Sequence, residues 1–229
     1  MEKFEKLIKL LGIQFKNPEL LKQAFVHRSY LNESKKTLTS NERLEFLGDS
    51  ILSFLVSEYL YKTYEDLPEG ELTNLRSSIV KTEALAEIAL KLSLGDCLYL
   101  SKGEEEGGGR KNPSILADTF EALLGAIFLD IGLTPVKKII NEQLLPILPK
   151  IIAEKTYKDA KSNFQEMVQE TVKLSPVYKV IQEAGPDHAK RFTVGVYVEE
   201  KLWGKGEGRS KQEAEQKAAM SGLEKWSRK

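Results

Sequence analysis

An all-α front unit followed by a small α+β unit is the fold class that the sequence predicts, and three observations predict it. From Glu2 to about Ile152 the apolar residues recur at helical spacing. The stretch AEKTYKDAKSN at 153–163 is polar and has no such period. Beyond it, short strand-like runs bounded by Gly and Pro are closed by one more helical segment. The chain is expected to be multidomain, with domains at residues 1–152 and 158–227.

Leu7, Leu10 and Leu11 share a face of the first helix. Asn17 then reads as the N-cap of a second helix, with Pro18 in its first turn. The run ERLEFLGDSILSFLVSEYLYKTY from Glu42 is apolar on more than one face, which predicts a helix buried on two sides. Pro68–Gly70 marks a turn before a helix reaching about Leu92, and GEEEGGGRKNP at 103–113 reads as a solvated loop, since it lacks the Gly-Lys-Ser/Thr ending of a phosphate-cradling loop. Helices over Ser114–Asp130 and Pro135–Leu148 complete the unit. In the back unit a helix is expected over Asn163–Val172, strands over 177–184, 191–200 and 202–208, and a closing helix over 210–226. About 70 residues are sufficient for an independent domain of this kind.

With 229 residues, 41% hydrophobic and 30% charged, the chain can build a packed core without staples. Its one cysteine, Cys97, excludes an internal disulfide, and no signal segment opens the sequence, so a reducing, cytoplasmic location is expected. The apolar run Ile51–Val56 is broken by Ser53 and falls far short of the ~20 residues that cross a bilayer, so no membrane span is expected. The net charge of zero lends nucleic-acid binding no support by itself. Residues 158–229, however, hold 14 Lys and Arg against 11 Asp and Glu, leaving 20 against 23 in front.

The chemistry lies in two segments, NERLEFLGDS at 41–50 and ADTFEALLGA at 117–126. Glu42, Glu45 and Asp49 stand at i, i+3 and i+7, and Asp118 and Glu121 at i and i+3, so each set shares a helical stripe. Five carboxylates face one cation, Arg43. Salt bridges to Arg43 or Arg76 are one answer to that imbalance; a hard cation such as Mg²⁺ or Mn²⁺, held by oxygen, is the other. A di-iron site would need a Glu-x-x-His pair, and neither His27 nor His188 lies three residues after one of these acids. Phe46 reads by itself as a core aromatic, and His27 as a structural histidine. Gly48, inside a helix at a cost of about 1 kcal/mol relative to Ala, indicates close packing.

NERLEFLGDS resembles the signature decapeptide of bacterial ribonuclease III, and ADTFEALLGAIFLD that family's second metal-binding helix. The resemblance implies that the all-α unit is an endonuclease domain and that Glu45, Asp118 and Glu121 hold Mg²⁺, with Mn²⁺ as a substitute. It implies catalytic roles for Asp49 and Glu121. Glu42 and Glu69, the latter beside Glu71, match further acids that line the family's catalytic valley on the substrate side. Phe46 matches an aromatic that inserts into a second subunit, which implies a homodimer.

From NFQEMVQE to GEGRSKQEAEQKAA the back unit resembles a double-stranded RNA-binding domain, a module that reads A-form shape through 2′-hydroxyls and phosphates. The resemblance assigns RNA contacts to Ser162, Gln165, Gln169, His188, Ser210, Lys211 and Lys217. Two departures weaken the basic patch: Gln212 follows Lys211 where many such domains carry consecutive lysines, and Glu215 replaces a common lysine. Trp203 and Trp226 are expected to pack in the core. The implied function is magnesium-dependent hydrolysis of double-stranded RNA to 5′-phosphate and 3′-hydroxyl ends with short 3′ overhangs, on ribosomal and other structured precursors. A non-catalytic duplex binder would be expected to have lost an acid, yet every matched carboxylate is present.

Overall fold

The computed structural model describes residues 2–34, 37–153, 160–186 and 190–226. The chain divides into two compact units, Met1–Tyr157 and Lys158–Lys229. Each has its own apolar core.

The front unit is helical, as expected. Helix α1 spans Glu2–Leu11 and α2 spans Pro18–Ala24. The Asn17 side chain caps α2 by accepting from the Glu19 N–H at 3.1 Å. Asp130 also fastens this entry by accepting from the N–H groups of Lys16 (2.6 Å) and Asn17 (3.0 Å). Helix α3, Glu42–Thr63, buries Leu44, Gly48, Ile51, Leu52, Leu55, Val56 and Leu60. The helix expected to reach Leu92 is two: α4, Glu69–Ile79, and α5, Thr82–Lys91, separated at the extended Lys81. That break lets Leu75 and Ile79 on one side, and Leu85, Ile88 and Ala89 on the other, reach the same core.

The glycine-rich stretch expected to be a loop is largely helical. Short helices α6 (Leu94–Cys97) and α7 (Lys102–Glu106) precede a 3₁₀ turn at Gly109–Lys111. Ser101 caps α7 through the Glu104 N–H. Arg110 donates to the carbonyls of Gly95 (2.8 Å) and Leu98 (3.1 Å) and pairs with Glu105 at 2.7 Å. One arginine thus supplies the order that composition does not suggest.

Helix α8, Pro113–Ile131, starts on an Asn112 cap and is buried nearly all round, from Ile115 to Ile127. It packs against α2, α3 and α5. The single helix expected over Pro135–Leu148 is broken up: α9 (Leu133–Ile139), a π segment (Ile140–Leu144), a 3₁₀ turn (Leu145–Ile147) and α10 (Leu148–Ala153). Pro146 explains this, since it has no N–H and its ring clashes with the carbonyl one turn back.

The back unit has the expected α-β-β-β-α order. Helix α11 spans Ala160–Val172, beginning ahead of the expected Asn163. Strands β1 (Val177–Ala184), β2 (Arg191–Val198) and β3 (Lys201–Gly208) form an antiparallel sheet in the order β1-β2-β3, and α12 spans Lys211–Trp226. Strand β2 ends before the expected Glu200 because Glu199, at φ 55°, begins a two-residue turn closed by the Val198–Lys201 pair. Gly204, Gly206 and Gly208 alternate along β3, and a Cβ on any of them would overlap the backbone of α12. The helix can therefore lie directly on the strand. Trp203 and Trp226 are buried with ring centroids 4.3 Å apart, and Phe164 meets Trp226 edge-on at 5.8 Å, so both tryptophans are packing residues.

Candidate metal centre and duplex-reading face

The acids on α3 and α8 meet because two glycines remove the side chains that would hold the helices apart. A Cβ on Gly48 would overlap the Glu121 carbonyl, and one on Gly125 would overlap the Leu44 carbonyl. The backbones therefore touch at the level of the carboxylates. Glu45, Asp118 and Glu121 each offer an oxygen within 4.8 Å of the others, and all three are half-buried. Among the described residues no cation lies within ion-pair distance of them. Arg76 donates instead to the Ser57 hydroxyl at 3.0 Å, and no ion pair joins Arg43 to this group, so the salt-bridge alternative is not what the fold builds.

Their electrostatics record the missing counter-charge. Burial pushes the Glu121 carboxyl up to about 8, and the neighbouring charges of Asp49, Asp118 and Glu45 add to the effect. Glu45 is raised by burial and then by Asp118, Glu42 and Asp49. Asp118 is raised by burial, with the nearby His27 pulling the other way. The set is all oxygen, closely spaced and short of positive charge. That donor chemistry fits a hard divalent ion.

A cavity of about 790 Å³ opens beside Glu45 and Asp118. Glu42 lines it, tethered by the Ser40 hydroxyl at 2.7 Å and by Arg28 at 3.8 Å. Asp49 is exposed one turn beyond Glu45 on α3. Glu69, at the start of α4, is exposed and accepts from Thr73 at 2.9 Å; it lies outside both the three-carboxylate group and the cavity lining. His27 has the structural role expected of it. Its Nδ1 caps a 3₁₀ turn at Arg28–Asn32, yet the ring also lines the cavity. Phe46 is 77% exposed, so the core role that its hydrophobicity suggests is not observed.

In the back unit Ser162, Gln165 and Gln169 are exposed along α11. Ser210 caps α12 by accepting from the Glu213 N–H at 3.1 Å. Lys211 lies 3.4 Å from Glu183, which also pairs with Lys190 at 3.1 Å, while Lys217 pairs with Glu213 at 2.6 Å. Glu215, the departure noted in the sequence, holds Lys161 at 2.6 Å. His188 lies outside the described residues.

Two family models match the chain: a ribonuclease-III-like model over residues 17–148 and the double-stranded RNA binding motif over 160–225. Ribonuclease 3 of Pelotomaculum thermopropionicum is 46% identical over 94% of this chain and 90% of its own length. Ribonuclease 3 of Syntrophomonas wolfei is 48% identical over 93% and 90%. The solved nuclease domain of Campylobacter jejuni ribonuclease III, described as flexible in a region involved in dimer formation, superposes with a TM-score of 0.59 at 40% identity, covering 64% of this chain and 99% of that one.

Proposed function

Since the chain belongs to the ribonuclease III family, the endoribonucleases that cleave double-stranded RNA, we propose that it does so with Mg²⁺ held by Glu45, Asp118 and Glu121. The observation that carries this reading is the group of three half-buried carboxylates within 4.8 Å, with no side chain among the described residues ion-paired to them. A bound ion would supply an activated water and neutralise charge on the phosphate, and Mn²⁺ would substitute for it. Asp49, exposed beside the group and close enough to raise the pKa of Glu121, positions water and ion at its rim. Glu42 and Glu69 act on the substrate side. Processing of ribosomal RNA is typical of the family, and the products are 5′-phosphate and 3′-hydroxyl ends with short 3′ overhangs.

The test is Glu121→Gln, which keeps shape and removes the charge that a hard ion needs. RNA affinity should fall little, because the duplex is held largely by Ser162, Gln165, Gln169, His188, Ser210, Lys211 and Lys217. The cleavage rate should fall at least about 1,000-fold and recover in part at high Mn²⁺. A folded variant that cuts at the wild-type rate in ordinary Mg²⁺ would refute the metal centre.

The active form is proposed to be a homodimer built on α3. Phe46, Phe54 and Tyr61 are 77%, 58% and 75% exposed and fall on one side of that helix. Exposed aromatics in a row support an interface. Phe46→Ala should raise the dimer dissociation constant by ~10- to 100-fold in sedimentation experiments while leaving protomer melting unchanged. An unaltered dissociation constant would remove Phe46 from the interface.

A further inference from the structure

The cavity beside the acids is lined by carboxylates, Glu42, Glu45, Asp118 and Glu104, and also by His27, Arg28 and Asn112, which carry hydrogen-bonding groups. Most of those groups are already occupied. Asn112 caps α8 through the N–H groups of Ser114 (2.9 Å) and Ile115 (3.4 Å), and Arg28 faces Glu42. Ser29 accepts from the Ser101 N–H at 3.1 Å and lies 2.8 Å from the His27 Nδ1.

His27 differs from them. The Ser29 backbone N–H, which can only donate, lies 3.3 Å from Nδ1, and on that contact we assign Nδ1 as the acceptor and Nε2 as the nitrogen that carries the proton. Nε2 has no hydrogen-bond partner among the described residues. It also has no lone pair to offer an ion, since the proton occupies it. What it offers is one N–H donor beside a group of carboxylates that repels any anion entering the cavity. A backbone phosphate of RNA is anionic and accepts only, so a donor lining the same cavity offsets part of that repulsion.

We propose that His27 Nε2–H donates to a non-bridging oxygen of a phosphate neighbouring the one that is cut, making His27 a substrate-contact residue. The inference rests on the metal-centre reading above, because that reading places the scissile bond at the acids. His27 then has two separable halves, Nδ1 for the fold and Nε2 for the substrate. Asn reproduces the Nδ1 position and can still cap Ser29, whereas Gln reaches the Nε2 position with an N–H.

The experiment measures single-turnover cleavage by the full-length wild type, His27→Asn, His27→Gln and Glu121→Gln. Substrates are a plain duplex and duplexes with one methylphosphonate at successive positions flanking the cut. His27→Asn should cut the plain duplex about 10- to 100-fold more slowly, the size expected for a hydrogen bond to a charged group. At one flanking position the methylphosphonate should slow the wild type by a similar factor and His27→Asn not at all, with His27→Gln in between. Each protein is scored by its ratio of modified to plain duplex, so any loss of folded protein cancels. If His27→Asn shows the wild-type ratio at every position, or cuts the plain duplex at the wild-type rate, the proposal is overturned. Those results alongside an impaired Glu121→Gln would sink this inference alone; a fully active Glu121→Gln would sink the metal centre beneath it.

Discussion

The two charged regions of this chain treat charge in opposite ways. On α3 and α8, Glu45, Asp118 and Glu121 are brought together, half-buried and without an ion-pair partner among the described residues. On the back unit, Lys211, Lys190, Lys217 and Lys161 are exposed or partly exposed, and each has a carboxylate within 3.4 Å. The first region keeps an electrostatic demand that a proton relieves in part, as the raised Glu121 carboxyl records, and that the proposed divalent ion would meet. The second meets its own demand, so its grip on a duplex would depend more on shape and neutral hydrogen bonds than on surplus charge. The proposed metal centre and the proposed shape-reading face would call for these two solutions respectively.

The largest expected effect comes from forcing the acids apart. Gly48→Ala puts a Cβ into the Glu121 carbonyl, and the obstacle is helix backbone rather than a flexible side chain. Overpacking of this kind should destabilise the front unit by about 3 kcal/mol, the upper end of the ordinary range. Cleavage should also fall in whatever remains folded, because α3 and α8 carry the opposite halves of the carboxylate group. Chemical denaturation together with cleavage below the melting point checks both; a variant as stable and active as the wild type would mean that the close approach is not what assembles the site.

A smaller effect tests whether the acids lack a partner. In the metal-free protein Glu121 titrates near 8 against an ordinary value of 4.5, chiefly through burial, with Glu45 and Asp118 raised in the same direction. Between those two values the folded protein holds a proton that the unfolded chain has released. The stabilisation from this group is therefore complete below about pH 4.5 and is lost as pH rises through 8. Melting in EDTA should show the wild type losing stability across that window relative to Glu121→Gln, which mimics the protonated form. Parallel curves would show that another group compensates Glu121.

Both regions were legible in the sequence to different depths. The acids could be read because a helix fixes which residues share a stripe, and Asp118 and Glu121 stand out on an otherwise apolar α8. The closeness of the two helices is legible in Gly48, whose cost inside a helix needs a reason, and Gly125 inside α8 is its counterpart. The Glu213–Lys217 pair is legible at i and i+4 of one helix, but the pairing of Lys211 was not, because Glu183 lies on a different element and only the folded unit brings the two within 3.4 Å. The same holds for Arg110, whose bonds to two carbonyls order a stretch that composition reads as loop. Pro146 was visible, yet the π segment before it was not, since propensity does not say how a helix absorbs an interior proline.

The smallest effect bears on the back unit alone. Glu183 holds both Lys190 and Lys211, and those cations, chiefly Lys190, keep its carboxyl below the usual range. Both lysines also lie over the Phe192 ring, at 5.8 and 5.6 Å, so they stay near their present positions when the carboxylate is neutralised. Glu183→Gln thus releases two cations without removing any residue assigned to the duplex. If the back unit reads RNA with compensated charge, this variant should bind duplex a few-fold more tightly at low salt. Its plot of log affinity against log salt should steepen by about 1 to 2, and the advantage should vanish at high salt. Salt-dependent binding titrations on the full chain decide it. An unchanged slope would mean that the Glu183 pairs do not restrain these lysines in solution, and the contrast between a starved front site and a self-satisfied back surface would lose its second half.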